Sequence, residues 1–376
     1  MYKRDTIKNI DILLDKPEII LLFGARQVGK STLLEIMASK NKSLKVLNCE
    51  NPVIADILES KDLLRITSLF DNAKIIAFDE AQSIVEIGKV LKLLYDSKPA
   101  IKIIATGSSS FELANRTGEP LTGRNIKFRL LPLSINEISE NKGWLPFLEL
   151  RNDLLVFGSY PGIIDLSQQE KKKKLLNLSG DYLFKDIYKF ERLKNPGILK
   201  NLLKAIALQV GNLVSVPELA SLTGVSAITV DRYLDLLEKS FIIFKIGSYS
   251  SNLRNELKKS RKYYFYDNGI RNAVINNFVA INQRTDTGAL WENYCVSEIV
   301  KYFNNADIFP NFYFWRTYDG AEIDLVIEDE GKLTCYEFKW NPGKKVSIPK
   351  SFSNKYNIQN LNVIHRDNLH LIKDLG

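Results

Sequence analysis

The chain has 376 residues, 45% of them apolar, a formal charge of +8, three cysteines and two histidines. That length is more than one core usually serves, so two or three domains are expected. The positive charge permits binding to a polyanion without establishing it. Cys49, Cys295 and Cys335 have no metal-type spacing, and His365 and His370 stand near the C-terminus, which argues against a disulfide framework, a histidine metal centre and a Ser-His-Asp triad. No run reaches the ~18 uninterrupted apolar residues of a membrane span and no signal-peptide core follows Met1, so a soluble, cytoplasmic protein without a membrane partner is expected.

In chain order, residues 1–17 read as a short polar helix and a lead-in that Pro17 stops. An apolar strand from Glu18 to Phe23 then runs into Gly24-Ala-Arg-Gln-Val-Gly-Lys-Ser-Thr32 and a helical pattern. This is G-x-x-x-x-G-K-[ST] in the strand-loop-helix context that the motif needs. The glycines let backbone N–H groups curl round phosphates, and the dipole of the next helix favours their charge. Gly24, Gln27, Val28, Gly29, Lys30, Ser31 and Thr32 are therefore the expected ATP contacts, with Lys30 on the β- and γ-phosphates and Ser31 on Mg²⁺.

A short strand at Leu44–Cys49 and a helix opened by Asn51-Pro52 lead to Lys74-Ile-Ile-Ala-Phe-Asp-Glu-Ala-Gln82, an apolar strand that ends in two acids. Asp79 is expected to hold Mg²⁺ through its water shell and Glu80 to polarise the attacking water. The next strand, Ile101 to Ser110, ends in polar residues. Ser108, with Thr106 second, would sense the γ-phosphate, or these residues only form a turn and cap a helix at Phe111. Arg124, before the strand Ile126–Leu133, could act as an arginine finger on a neighbouring subunit, which would make the protein a homo-oligomer. Alternating strands and helices imply a parallel, three-layer α/β sheet, with ligands at the strand C-terminal ends, where all these residues are expected to fall.

From Ser134 to about residue 192 the pattern is helical, with a basic run at Lys171 to Lys174 expected to solvate a helix. A helical subdomain at this position can act as a lid. Residues 196–246 have the plan of a winged helix: an amphipathic helix at Ile198–Val210, a capping box at Ser215-Val-Pro-Glu218, a stop at Thr223-Gly224 and a second helix from Ser226. That helix carries Asp231, Asp235 and Glu238 against Arg232 and Lys239, a net negative charge that opposes phosphate approach. Groove reading and docking on protein both stay open. Lys258, Lys259, Arg261 and Lys262 follow, ahead of the aromatic strand Tyr263–Tyr266, and could track a phosphate backbone.

The last hundred residues hold a second constellation. A helical pattern at Leu290–Val300 carries Glu298, and the strands Glu322–Ile327 and Leu333–Trp340 are joined by a hairpin signal at Glu328-Asp-Glu-Gly331. If the turn residues are Glu330 and Gly331, Asp324 lies opposite Glu337, with Lys339 on the same face as Glu337. A divalent metal, Mg²⁺ or Mn²⁺, would relieve the repulsion of the paired acids, and the lysine could orient or activate water beside it. A solvated charged face is the alternative.

Taken together, these residues resemble a family of prokaryotic AAA+-like ATPases in which a domain of unknown function follows the ATPase. The resemblance runs through the phosphate loop, Phe78-Asp-Glu-Ala-Gln, Ala105-Thr-Gly-Ser-Ser, Leu121-Thr-Gly-Arg, Leu131-Pro-Leu-Ser, Ser159-Tyr-Pro, Tyr266-Asp-Asn-Gly, Leu290-Trp-Glu-Asn, Gly320-Ala-Glu-Ile-Asp and Tyr336-Glu-Phe-Lys. It implies a P-loop ATPase core over 1–133, a helical lid over 134–195, a winged helix over 196–270 and a PD-(D/E)XK nuclease-like domain over 271–376. Asp324, Glu337 and Lys339 match that fold's D…E-x-K pattern, with Glu298 or Glu292 as the helical acid. The expected activity is ATP hydrolysis coupled to binding or processing of duplex or branched DNA. A regulatory ATPase that binds a protein partner, with a catalytically silent C-terminal scaffold, is the alternative.

Overall fold

The computed structural model describes residues 1–97, 100–108, 121–182, 196–250, 261–343 and 346–375. Ser109, Ser110, Phe111, Lys258 and Lys259, which the sequence singled out, lie outside the described residues. The chain divides into two compact units: residues 1–132 with 181–193 and 239–241, and residues 133–180 with 194–238 and 242–376.

The first unit is α/β. Strands β1 (Ile19–Phe23), β2 (Leu44–Asn48), β3 (Ile75–Asp79), β4 (Lys102–Gly107) and β5 (Asn125–Arg129) form a parallel sheet in the order β2-β3-β4-β1-β5. Every residue of β1, β3 and β4 is buried, as expected where helices cover both faces of a parallel sheet and the sequence has no in–out alternation. Helix Lys30–Lys40 follows β1 and helix Ile87–Ser97 leads back to β4. Because β4 lies between β1 and β3, its C-terminal end stands between the phosphate loop and the two acids.

The second unit is built on a mixed sheet in the order β12-β11-β10-β9-β7-β8-β6. Its strands are β6 (Leu213–Val214), β7 (Ile243–Ser248), β8 (Arg261–Phe265), β9 (Asn311–Arg316), β10 (Glu322–Asp329), β11 (Lys332–Phe338) and β12 (Asn362–Ile364). Parallel pairing of β7 with β9 joins strands from either side of residue 270 into one sheet. Helices Pro196–Leu208, Val216–Thr223 and Ala227–Lys239 precede β7, and helix Thr287–Asn305 precedes β9. Ser215 caps the second of these helices by accepting from the Glu218 amide, and Ser226 opens the third by accepting from the Thr229 amide.

Glu330 and Gly331 form the β10–β11 turn, both with positive φ (48° and 84°), as a tight two-residue hairpin turn requires. The ladder runs from Asp329 opposite Lys332 to Leu325 opposite Tyr336, so one step further Asp324 faces Glu337. Against β9, Ile323 faces Trp315 and Val326 faces Tyr313, which leaves one extra residue on β10. Asp324 thus sits in a β-bulge, a device that re-aims a side chain.

The basic run is a correction at its first residue. Lys171 is buried in the second unit and paired with Asp153, so it holds the fold instead of solvating a helix, while Lys172, Lys173 and Lys174 are exposed as expected, Lys174 donating to the Gly162 carbonyl at 2.8 Å.

Candidate functional sites

Between β1 and the helix that starts at Lys30, the loop turns with Gln27 at φ 62° and Gly29 at φ 100°. A left-handed Gln27 is strained for a residue with a Cβ, and such strain gathers at ligand-binding loops. Gly24 is required for a different reason: a Cβ there would lie 2.3 Å from the Leu130 carbonyl oxygen. The Lys30 ammonium is buried and donates to the Gly24 and Ala25 carbonyls at 3.0 and 3.1 Å, which folds it back over the loop. Ser31 and Thr32 follow it in the first helical turn.

The two acids are organised by β4. Thr106 donates its hydroxyl to Asp79 Oδ1 and accepts the Glu80 amide at 3.1 Å. Glu80 is left-handed (φ 52°, ψ 42°), as Gln27 is. Its carboxylate accepts from the Gln82 side-chain amide, whose oxygen in turn accepts the Ser108 N–H at 3.3 Å. Ser108 therefore lies at the expected strand end, while the hydroxyl that bonds Asp79 is that of Thr106, ranked second from the sequence. Cys49, whose amide donates to the Asp79 carbonyl at 2.9 Å, has its thiol pushed up to about 12 by burial and by the neighbouring Asp79 and Glu80 charges.

Arg124 is not part of this arrangement. It precedes β5, where Asn125 is in register with Ile19, so it lies at the N-terminal end of a sheet whose phosphate loop leaves the C-terminal end. Its Nε pairs with Asp96 at 3.1 Å and its guanidinium lies over the Tyr95 ring. The expectation that every named residue falls at the strand C-terminal ends fails here because Arg124 enters its strand instead of leaving it.

In the second unit, Asp324 Oδ2 accepts the Phe338 amide at 2.8 Å, and Lys339 Nζ lies 2.5 Å from Glu337 Oε1 and 3.9 Å from Asp324 Oδ2. Burial, then the Glu292 and Glu337 charges, push the Asp324 carboxyl up to about 8. Burial pulls Lys339 down, but the bond to Glu337 and the Asp324 and Glu337 charges outweigh it and hold the ammonium above its ordinary range. Glu337 Oε2 is buried and has no hydrogen-bond partner among the described residues. Lys262, at the start of β8, is fully buried and pairs with Glu292 at 3.3 Å and Glu322 at 2.5 Å, and Glu292 also accepts from the Tyr264 hydroxyl at 2.7 Å. Burial raises the Glu292 carboxyl, against the pull of Lys262 and Tyr264. Among the described residues, no three acids, histidines or cysteines are grouped as a metal cage.

Glu298 is a correction. Its two carboxylate oxygens are taken by Lys301 Nζ and the Ile135 amide, both at 2.7 Å, and it is buried in a different network from Asp324. Of the two helical acids, Glu292 is the one whose charge bears on Asp324, because six residues of helix separate the two and turn them to different faces. The Glu298 network also explains several motifs that carry no chemistry. Lys301 donates to Ser159 Oγ and the Leu133 carbonyl at 3.0 and 3.3 Å, and Asp267 accepts the Ser159 and Ile270 amides at 2.6 and 3.0 Å. Asn293 bonds both polar atoms of the Phe265 backbone and the Asn268 side chain. Leu133-Ser134, Ser159, Asp267-Asn268 and Asn293 thus meet in a hydrogen-bonded polar hub inside the second unit.

Comparison with known families divides the chain in three. Residues 16–139 match an AAA domain, residues 148–280 a domain of unknown function (DUF8612) and residues 287–371 a second one (DUF4143). The first unit carries an AAA-like P-loop domain. An uncharacterized protein of Mycobacterium tuberculosis is 27% identical over 342 residues, covering 90% of this chain and 74% of its own length. One from Methanocaldococcus jannaschii is 26% identical over 356 residues, with 88% and 77% covered. Among solved structures, Drosophila ORC bound to AT-rich DNA and Cdc6 is similar at a TM-score of 0.26 and 14% identity, covering 72% of this chain and 89% of that one. Pif1 helicase from Candida albicans is similar at 0.25 and 9%, with 70% and 63% covered. Likeness at that level transfers neither an activity nor a partner. In the described residues no helix is long and apolar enough to cross a membrane.

Proposed function

We propose that this chain is an ATP hydrolase whose nucleotide state governs its binding to DNA. The observation that carries the ATPase reading is the Thr106 hydroxyl, which ties Asp79 and Glu80 together on the strand next to the phosphate-loop strand. ATP would lie along residues 24–32 with its β- and γ-phosphates at Lys30, and Glu80 would orient and deprotonate the attacking water. Ser31 and Asp79 would hold Mg²⁺, since hydroxyl and carboxylate oxygens suit that hard cation, which supplies charge neutralisation at the phosphates. Glu80→Gln should keep ATP affinity and lose turnover by roughly 100-fold or more, the usual share of a general base. Normal turnover in that variant, measured as phosphate release, would sink the assignment.

The DNA part of the proposal rests on reading residues 196–270 as a winged helix. Two of the acids that burden its second helix are offset within the unit, Asp231 by Arg261 at 3.1 Å and Glu238 by Lys245 at 3.3 Å. Duplex binding that falls steeply with salt supports this reading. No binding at low salt favours a protein partner, for which Ile228 at 83% exposure on that helix offers an apolar contact.

A second reading concerns the Asp324 bulge. Glu337 Oε2, buried without a partner beside a second carboxyl, fits a divalent cation held by Asp324 and Glu337, in the manner of a PD-(D/E)XK site with Lys339 orienting water. In this reading Mn²⁺ raises the melting temperature of the wild-type chain and leaves that of Glu337→Gln unchanged. An equal shift in both would place the ion elsewhere.

A further inference from the structure

We infer that Arg4 is a positioning residue for the phosphate loop, an inference that rests on reading residues 24–32 as the nucleotide site. Arg4 is 4% exposed and stands just ahead of the helix Thr6–Ile12. Its Nη1 donates to the Val28 carbonyl at 2.8 Å and its Nη2 to the Leu131 carbonyl at 2.6 Å. One guanidinium therefore ties the middle of the loop to the chain just beyond β5.

The geometry matters because a trans peptide points its carbonyl and its N–H in opposite directions. A Val28 carbonyl held by Arg4 turns the Gly29 N–H away from the guanidinium, and that N–H heads the helix that begins at Lys30. It is one of the donors that an anion at a helix N-terminus uses. The loop's other end is held by the same stretch. The Leu130 amide donates to the Phe23 carbonyl at 2.7 Å, and Gly24 packs against the Leu130 carbonyl too closely to admit a Cβ. Leu130-Leu131 thus backs both ends of the loop, directly at Gly24 and through Arg4 at Val28. A buried guanidinium is costly to desolvate, and its rigid fork spans two acceptors in a way that the single ammonium of a lysine does not reproduce. The pinned loop is the one that holds Gln27 and Gly29 at positive φ, a conformation an untethered loop would relax.

The test uses the full chain with Arg4→Gln and Arg4→Lys, and Lys30→Ala as the control. MgATP and MgADP affinities are titrated with a fluorescent nucleotide, alongside turnover and melting temperature. Both Arg4 variants should weaken both nucleotides by about tenfold or more, the scale expected when a binding group is misplaced. Turnover at saturating MgATP should fall by less than the affinity does, because Asp79, Thr106 and Glu80 are untouched while the loop that carries Lys30 and Ser31 is loosened. Wild-type affinity in folded Arg4→Gln overturns the inference. So does failure of both Arg4 variants to fold while Lys30→Ala folds, since the guanidinium would then hold the fold and not the loop. If the wild-type chain binds neither nucleotide and Lys30→Ala matches it, the nucleotide reading of the loop fails, which is a different result.

Discussion

The two acid sites of this chain solve like-charge crowding in different ways. At β3, Asp79 and Glu80 are consecutive residues and each carboxylate is bonded by its own neutral donor, the Thr106 hydroxyl for Asp79 and the Gln82 amide for Glu80. At β10 and β11, Asp324 and Glu337 meet across strands with Glu292 nearby, and cations do the balancing: Lys339 on one side and the buried Lys262 on the other. The first site is assembled from strand ends and local turns. The second depends on the register of a hairpin, a bulge and a lysine from a strand far away in sequence. A site of the first kind should lose chemistry before stability when it is cut, and one of the second kind the reverse.

The sharpest break in that contrast is Lys262→Met, which leaves the largely buried Glu292 without the cation that balances it, while the part-exposed Glu322 keeps its pairing with Arg316 at 3.3 Å. The expected cost is about 3 kcal/mol of unfolding free energy by chemical denaturation. A cost below about 1 kcal/mol would mean that solvent already reaches the Glu292 carboxylate. Thr106→Val is the matching cut at the first site. It should lower ATP turnover by about tenfold while the denaturation midpoint moves little, and unchanged turnover would detach Thr106 from the acids it bonds. The smallest effect is expected from Arg124→Ala. Its ion pair with Asp96 is partly exposed, so stability should change by less than about 1 kcal/mol and turnover by less than twofold. A large loss of turnover that depends on protein concentration would restore the arginine as a group supplied between subunits.

Glu298 and Arg124 show why parts of these sites stayed out of reach. A helical period says that Glu292 and Glu298 lie on different faces but not which face meets β10. Arg124 precedes a strand in sequence, yet only the parallel pairing of β5 with β1 reveals that it sits at the end away from the phosphate loop. Arg4 gave no signal, because a lone arginine near an N-terminus reads as a surface charge until its two carbonyl acceptors are seen.

By itself the sequence determined what is local: the loop from Gly24 to Thr32, the acids at the end of β3, the alternating elements of the first unit, and the hairpin signal at Glu328–Gly331, whose register the structure then fixed. These follow from short-range geometry, in which glycine, a helix start or a two-residue turn fixes the positions of its neighbours. Only the tertiary structure decided what depends on long-range closure. It set the order of the strands, placed Thr106 between loop and acids, joined β7 to β9 in one sheet, and chose Glu292 over Glu298. Contacts between residues far apart in the chain are selected by packing and by the need to pair every buried charge, and no periodicity along the sequence encodes them.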